Sequence, residues 1–452
     1  MTEPTGAPER LGADVVLSIY VVTLLVLPSR YTIGEVALTA SMLVAVLAGA
    51  LWAAGFALGR PTVVLAEPAG RGLAAFVVVT LVGYTVTMLQ PNEVAAVSAA
   101  DRRLVATICA LAAALLALDG LRSRAALERV LRVLVVCGGI MAAIGILQYA
   151  AGWDLARQLR LPGFGATGSV GFIFDRGGRT RVAGTMRHPI ELGIMCAVLF
   201  PLALHLAVHD ARRRDRRIAG TVAALLALAL PMALSRAAVL AVAAGLAVLL
   251  WCLPRTRRRR LLGAGAIGLV LFVVVVPNLA TTVRDLFTTD LAEGSNAARA
   301  AAADAALERF HEAPVLGRGL GATQDVIVDS QYLLTLAEIG IVGTIALVAL
   351  WLGVVRSARA TRRATDDASD RDLGAAFLAM ITAIGVASAG FATLGTGATI
   401  GLVLLVAGLA GAHHRLVLAG APGAALTEVS DDELVAPDGA TPDLAGAHGG
   451  TG

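Results

Sequence analysis

Arginine carries most of the chemistry open to this sequence. All 37 of its Lys and Arg residues are arginine. The stretch WDLARQLRLPGFGATGSVGFIFDRGGRTRVAGTMR holds Arg157, Arg160, Arg176, Arg179, Arg181 and Arg187 against two acids, Asp154 and Asp175. A guanidinium presents a planar fork of donors that matches phosphate oxygens, so such a cluster reads as a site for phosphate or a related anion. The plainer reading is a surface loop drawn to anionic lipid headgroups. Its glycines, GFGATGSVGF, would let the backbone approach a ligand, but they lack the strand–loop–helix setting of a nucleotide cradle.

A further arginine, Arg236, interrupts the apolar run LALALPMALSRAAVLAVAAGLAVLL. At a bilayer centre it would cost at least about 2.5–3.5 kcal/mol. Arg299 follows in SNAARAAAADAALERF, a predicted helix from Asn296 to His311 with Ser295 as its N-cap. The helix dipole favours an acid in those first turns, so an arginine there points to a specific role. Asp329, in DSQY, is either a general base or the N-cap of the helix it precedes. His188, before Pro189, either caps a helix or orients a substrate, and His311 reads as solvated.

These residues need elements to hold them. The chain is 57% hydrophobic with mean hydropathy +0.77, beyond the range of a soluble domain. Continuous apolar runs exclude an alternating barrel pattern. Twelve apolar segments fall near 14–28, 33–58, 72–90, 104–119, 130–151, 188–209, 218–234, 236–253, 261–279, 331–353, 374–391 and 396–412. The expectation is an all-α polytopic membrane protein of about twelve transmembrane helices. Basic loops at 119–129, 210–217, 255–260 and 356–372 set the orientation, because such loops stay cytoplasmic. Both termini are then cytoplasmic. Two long outer-face segments remain, about 152–187 and 280–330.

The run 218–254 is flanked on both sides by arginine clusters. Two cytoplasmic flanks require a hairpin of two helices, each about 26 Å long. Its turn falls near Pro231–Arg236, which moves Arg236 to the outer mouth; there it either serves a site or snorkels to headgroups. Residues 1–13 read as a cytoplasmic leader, 14–412 as the transmembrane domain, and 413–452 as a disordered cytoplasmic tail rich in Gly, Ala, Pro and acids. Cys109, Cys137, Cys196 and Cys252 lie in or beside apolar runs without metal or disulfide spacing. No metal, cofactor or nucleic-acid partner is expected.

Four motifs, in order, resemble one family. RVAGTMRHPIELG (181–193) resembles its Arg-x-x-Gly-Thr element ahead of a His/Asn-Pro helix start. LSRAAVL (234–240) is similar to its Ser-Arg-Gly/Ala turn between spans. SNAARAAAADAALERFHEAPVLGRGLG (295–321) resembles its Arg-bearing helix followed by Pro-x-x-Gly-x-Gly, and DSQYLLTLAEIGIVG (329–343) its His-Asn-x-Tyr-Leu…Glu-x-Gly-x-x-Gly. The family is the O-antigen ligase and O-antigen polymerase superfamily.

The resemblance implies a GT-C-like glycosyltransferase of the plasma (inner) membrane. It would move a glycan at the outer face from a polyprenyl-diphosphate carrier to a glycan or lipid acceptor hydroxyl, with inversion and without metal. Arg181, Arg187, Arg236 and Arg299 become diphosphate-binding candidates, Asp329 the base, and His188 and Tyr332 substrate-orienting residues. Glu338 and Gly340 read as structural. Ligases of the family carry His at the position of Asp329 and Asn at that of Ser330. An ordinary carboxylate is a weaker base than imidazole, so the departure leans toward a polymerase or another glycan ligase. The alternative from a different class is a transporter of a small anion, which should show repeated halves and broken helices at the midplane.

Overall fold

The computed structural model describes residues 12–420 apart from 92, 160, 167–170, 176–178, 276–290 and 324–325. Its helices are α1 (Ala13–Leu25), α2 (Ala40–Ala57), α3 (Pro68–Leu89), α4 (Val94–Gly120), α5 (Arg124–Ala151), α6 (Leu155–Gln158), α7 (Pro189–His209), α8 (Arg213–Met232), α9 (Arg236–Cys252), α10 (Arg255–Val275), α11 (Leu291–Glu312), α12 (Gln331–Ala364), α13 (Ala368–Gly390) and α14 (Gly397–Ala419). Each of the twelve apolar segments coincides with one of them. Eight (α2, α3, α4, α5, α7, α12, α13 and α14) are long and apolar enough to cross a membrane, and α1 and α9 are shorter apolar helices. The arginine-rich starts of α8 and α10 lower their mean hydropathy.

The strands are short additions to this helical fold. Antiparallel β1 (Tyr31–Thr32) and β2 (Gly165–Ala166) pair Tyr31 with Ala166, and β3 (Ile173–Asp175) and β4 (Thr180–Val182) pair Phe174 with Arg181. The segment predicted to begin at 33 starts its helix only at Ala40, because 31–38 is spent on β1 and a turn closed by the Ile33–Leu38 bridge.

Helices α7, α13 and α14 form the most buried part of the bundle. Small residues let backbones close up, as in membrane helix pairs generally. A Cβ on Gly408 of α14 would sit 2.3 Å from the Ala114 carbonyl of α4, and one on Gly353 of α12 would sit 2.5 Å from the Pro68 carbonyl of α3. Apolar side chains at the periphery, such as Val46, Phe56, Trp251 and Ile267, are exposed and suited to lipid.

The two ends of the bundle differ. At one end the predicted basic loops meet in ion pairs between helices: Arg124 with Asp370 (2.9 Å), Arg132 with Asp210 (3.0 Å), and Arg129 with Asp14. Asp372 takes both His209 (2.8 Å) and Arg257 there. The same end corrects the tail boundary. Helix α14 runs on to Ala419 because His413 meets Asp370 (3.2 Å), His414 meets Glu67 (2.9 Å) and Arg415 Nε donates to the Leu118 carbonyl (3.2 Å). Residues 413–419, expected in the tail, are therefore helical, and 421–452 lie outside the described residues, as do 1–11 of the expected leader.

The opposite end gathers both long segments. Helix α12 is broken there by Gly340, at φ 67° and ψ −160°. The loop 313–323 docks into the break. Gly319 N–H donates to the Glu338 carbonyl (2.9 Å), and Ile341 N–H donates to the Pro314 carbonyl (2.9 Å). Backbone groups freed by the kink are thus satisfied within the protein, as a membrane setting demands. Glu338, which is buried, seals the join by accepting from Thr323 Oγ1 (2.9 Å) and Gly321 N–H (3.1 Å) and pairing with Arg103. Its expected structural role is what the geometry shows.

Candidate functional site

The hairpin turn comes first. Helix α8 ends at Met232 and α9 starts at Arg236, capped by Ser235, whose Oγ accepts from Ala238 N–H (3.3 Å). The two helices diverge from this turn: α8 packs on α7 and α5, and α9 packs on α13 and α7. Leu234, in the turn, has φ 45°, a left-handed conformation that a branched side chain takes only under constraint. Part of that constraint is Arg181. Its buried guanidinium donates Nε–H to the Ala233 carbonyl (3.1 Å), a charged hydrogen bond of about 1.5–3 kcal/mol. Arg181 therefore fixes the turn that presents Arg236. Arg236 itself is half-buried at the first position of α9.

The second element is an ion pair. Arg299 Nε donates to Asp329 Oδ2 at 3.0 Å, with the two side chains 37% and 33% exposed. Helix α11 begins at Leu291, so Ser295 lies inside it and does not cap it, and Arg299 sits beyond its first two turns. Asp329 does not cap α12 either. Ser330 does, its Oγ accepting from Leu333 N–H (3.5 Å). The carboxylate is left to Arg299, and its Oδ1 accepts no hydrogen bond among the described residues. The reason is positional: capping needs the side chain just before the first helical residue, and that residue is Gln331.

Helix α13 brings the two elements together. Its C-terminal end receives Ser330 Oγ at the Ser388 carbonyl (3.5 Å) and Tyr332 Oη at the Gly385 carbonyl (2.8 Å). On the same end a Cβ at Gly390 would lie 3.2 Å from Ala237, the neighbour of Arg236. Tyr332, expected to orient substrate, spends its hydroxyl on this helix contact. Gln331 completes the anchor by accepting from Leu394 N–H (2.8 Å).

Arg187 stands elsewhere. It lines a cavity of about 160 Å³ together with Arg102, Arg103, Thr39 and Thr396, and neither Arg181 nor Arg236 reaches that cavity. Below it, Arg30 donates Nε–H to the Arg187 carbonyl (2.9 Å) and lies over the rings of Phe172 and Phe174 at 5.3 and 5.0 Å. Burial, and then the charge of Arg187, push the Arg30 guanidinium below its ordinary range, although it stays protonated. His188 caps α7, its Nδ1 accepting from Ile190 N–H (3.2 Å). Arg160 and Arg176 lie outside the described residues, and His311 is exposed.

Arg102 and Arg103 escaped the sequence reading. Their signal was the pair ADRR next to a segment placed on the outer side, where arginine runs against the charge rule.

Fold and site together define a polytopic helical membrane protein with arginines and an ion-paired carboxylate gathered at one end of its bundle. Residues 221–348 match the family model for O-antigen ligase. That stretch runs from α8 through the first half of α12 and contains Arg236, Arg299 and Asp329. Over those residues the chain is similar to the O-antigen ligase family. Among curated proteins none matches the chain.

Proposed function

We propose that the chain is an outer-face glycosyltransferase that moves a glycan from a polyprenyl-diphosphate carrier to an acceptor hydroxyl, in building a cell-envelope polysaccharide. One observation carries the reading. The family match covers Arg236, Arg299 and Asp329, three residues far apart in sequence, and the fold gathers the helix ends that bear Arg236 and Asp329 around the end of α13.

In this reading the acceptor oxygen attacks the anomeric carbon from the face opposite the diphosphate. Asp329 Oδ1 takes the acceptor proton as the new C–O bond forms. The bond from sugar to diphosphate breaks, and its electron pair remains on the diphosphate oxygen. Arg236, held by a turn that Arg181 fixes, faces that developing charge; such a preorganised donor is worth about 10²–10³ in rate. Arg299 holds Asp329 in place by its ion pair. Inversion follows from the single displacement, and guanidinium groups supply the positive charge.

The topology belongs to the same proposal: twelve spans, with the arginine-cluster end cytoplasmic and the Asp329 end outside. The test is turnover by the purified protein with a glycan-loaded polyprenyl diphosphate and candidate acceptors. Release of polyprenyl diphosphate that is lost in Arg236→Gln supports the reading. No turnover, with uptake of a small anion into proteoliposomes, replaces it with a transporter.

A further inference from the structure

The cavity lined by Arg187 includes neither Arg236 nor Asp329, and its walls come from four distant parts of the chain. Helix α4 supplies Arg102 and Arg103, the turn before α7 supplies Arg187, the loop before α2 supplies Val36 and Thr39, and the start of α14 supplies Thr396 and Gly397. At about 160 Å³ it exceeds the volume of a few waters at ~30 Å³ each. Two helices begin at its wall, α2 after the cap Thr39 and α14 after the cap Thr396, so their free N–H groups add positive potential.

Charge bookkeeping points the same way. Arg103 is paired with Glu338 on its far side. Glu191 is buried beneath, accepts from Arg187 N–H (3.0 Å) and sets its charge against both Arg187 and Arg30. The guanidiniums of Arg102 and Arg187 have no side-chain acceptor among the described residues, and both side chains are exposed. Arg102, Arg103 and Arg187 on one cavity, with Glu338 and Glu191 against them and two helix starts in line, leave an excess of positive charge that suits an anion.

We propose that this cavity binds a phosphate-class anion, as a second anion site distinct from the one at Arg236. The shared chemistry is a phosphate or diphosphate group held by Arg102 and Arg187, with Thr39 and Thr396 beside them. It reaches the cavity either on a lipid headgroup or as the free ion.

The experiment uses the full chain in nanodiscs and counts bound inorganic diphosphate by native mass spectrometry and calorimetry. Arg102→Gln and Arg187→Gln should each weaken one binding event by about tenfold or more, while Arg236→Gln leaves that event intact. Val36→Glu, which sets a carboxylate in the wall without removing an arginine, should weaken it as well. Nanodiscs of zwitterionic lipid are compared with nanodiscs containing phosphatidylglycerol. Displacement of diphosphate by the anionic lipid identifies a headgroup as occupant, and no displacement identifies the free ion. The proposal is overturned if no diphosphate or anionic-lipid binding responds to Arg102→Gln, Arg187→Gln or Val36→Glu, or if Arg236→Gln abolishes every binding event. Failure of the glycosyltransfer reading looks different: no turnover and no event sensitive to Arg236→Gln, with the cavity event retained.

Discussion

Replacing Asp329 by asparagine separates a base from a mere partner of Arg299. The side chain keeps its size and can still accept the Nε–H that now reaches Oδ2 at 3.0 Å. What it loses is the capacity to take a proton. A positioned general base contributes about 10²–10⁴ in rate, which is about 3–5.5 kcal/mol at 1.36 kcal/mol per decade. An ion pair whose members are both about a third exposed contributes about 0.2–1 kcal/mol, so its loss alone slows turnover no more than about fivefold. The two roles therefore differ by more than an order of magnitude. The assay is single-turnover release of polyprenyl diphosphate from the glycan-loaded carrier, with binding of the carrier measured in parallel. Asp329→Asn should lower the chemical step by at least a hundredfold and change carrier binding little. Arg299→Gln on that background should then add almost nothing, because its target has already lost its function; additive losses would mean that Arg299 acts on the diphosphate directly. Asp329→His should recover part of the activity and lose it again as pH falls through about 6.5, since imidazole must be neutral to accept the proton. Turnover of Asp329→Asn within fivefold of wild type refutes the assignment of the base.

Other perturbations test the scaffold and topology. Ser235→Ala removes the cap of α9 and should cost about 1 kcal/mol of stability, together with a larger loss of turnover than of carrier binding; Ser235→Asp, which restores the cap, should recover thermal stability. Gly317→Ala puts a Cβ 2.3 Å from the Glu338 backbone at φ 67° and should lower the melting temperature in detergent, by about 1–3 kcal/mol of lost stability; a wild-type melting curve would show that the loop relaxes. Cysteines introduced at Trp153 and at Arg214 should react with an impermeant thiol reagent from opposite sides of sealed vesicles, and labelling from the same side would invalidate the hairpin topology.

Much of the helical frame could be read before any coordinates, and the limits of that reading are local. Hydropathy runs located the helices because a membrane helix satisfies its own backbone and needs only a long enough apolar stretch. The start of α2 was misplaced by several residues, since Ile33–Leu38 is as apolar as the helix but turns back on itself as a bridge. The cap of α12 went to Ser330 instead of Asp329 because two polar residues in a row leave the first helical position undecided. Hydropathy ends α14 too early because His413, His414 and Arg415 look like the start of a polar tail. They are helical because Asp370, Glu67 and the end of α4 supply their partners.

The sequence by itself determined the helical membrane class of the protein and the hairpin at 218–254, and it put forward Arg236, Arg299 and Asp329 as candidates. All of these rest on hydropathy, charge flanks and motif order, which are properties of short stretches. Only the tertiary structure decided which charges meet. Arg299 pairs with Asp329 across 30 positions, Arg103 with Glu338 across 235, and Arg187 joins Arg102 in a cavity instead of Arg181 at the turn. A charge near the low-dielectric membrane interior is costly until another helix supplies its partner, and the partner is fixed by helix packing, which no local pattern encodes.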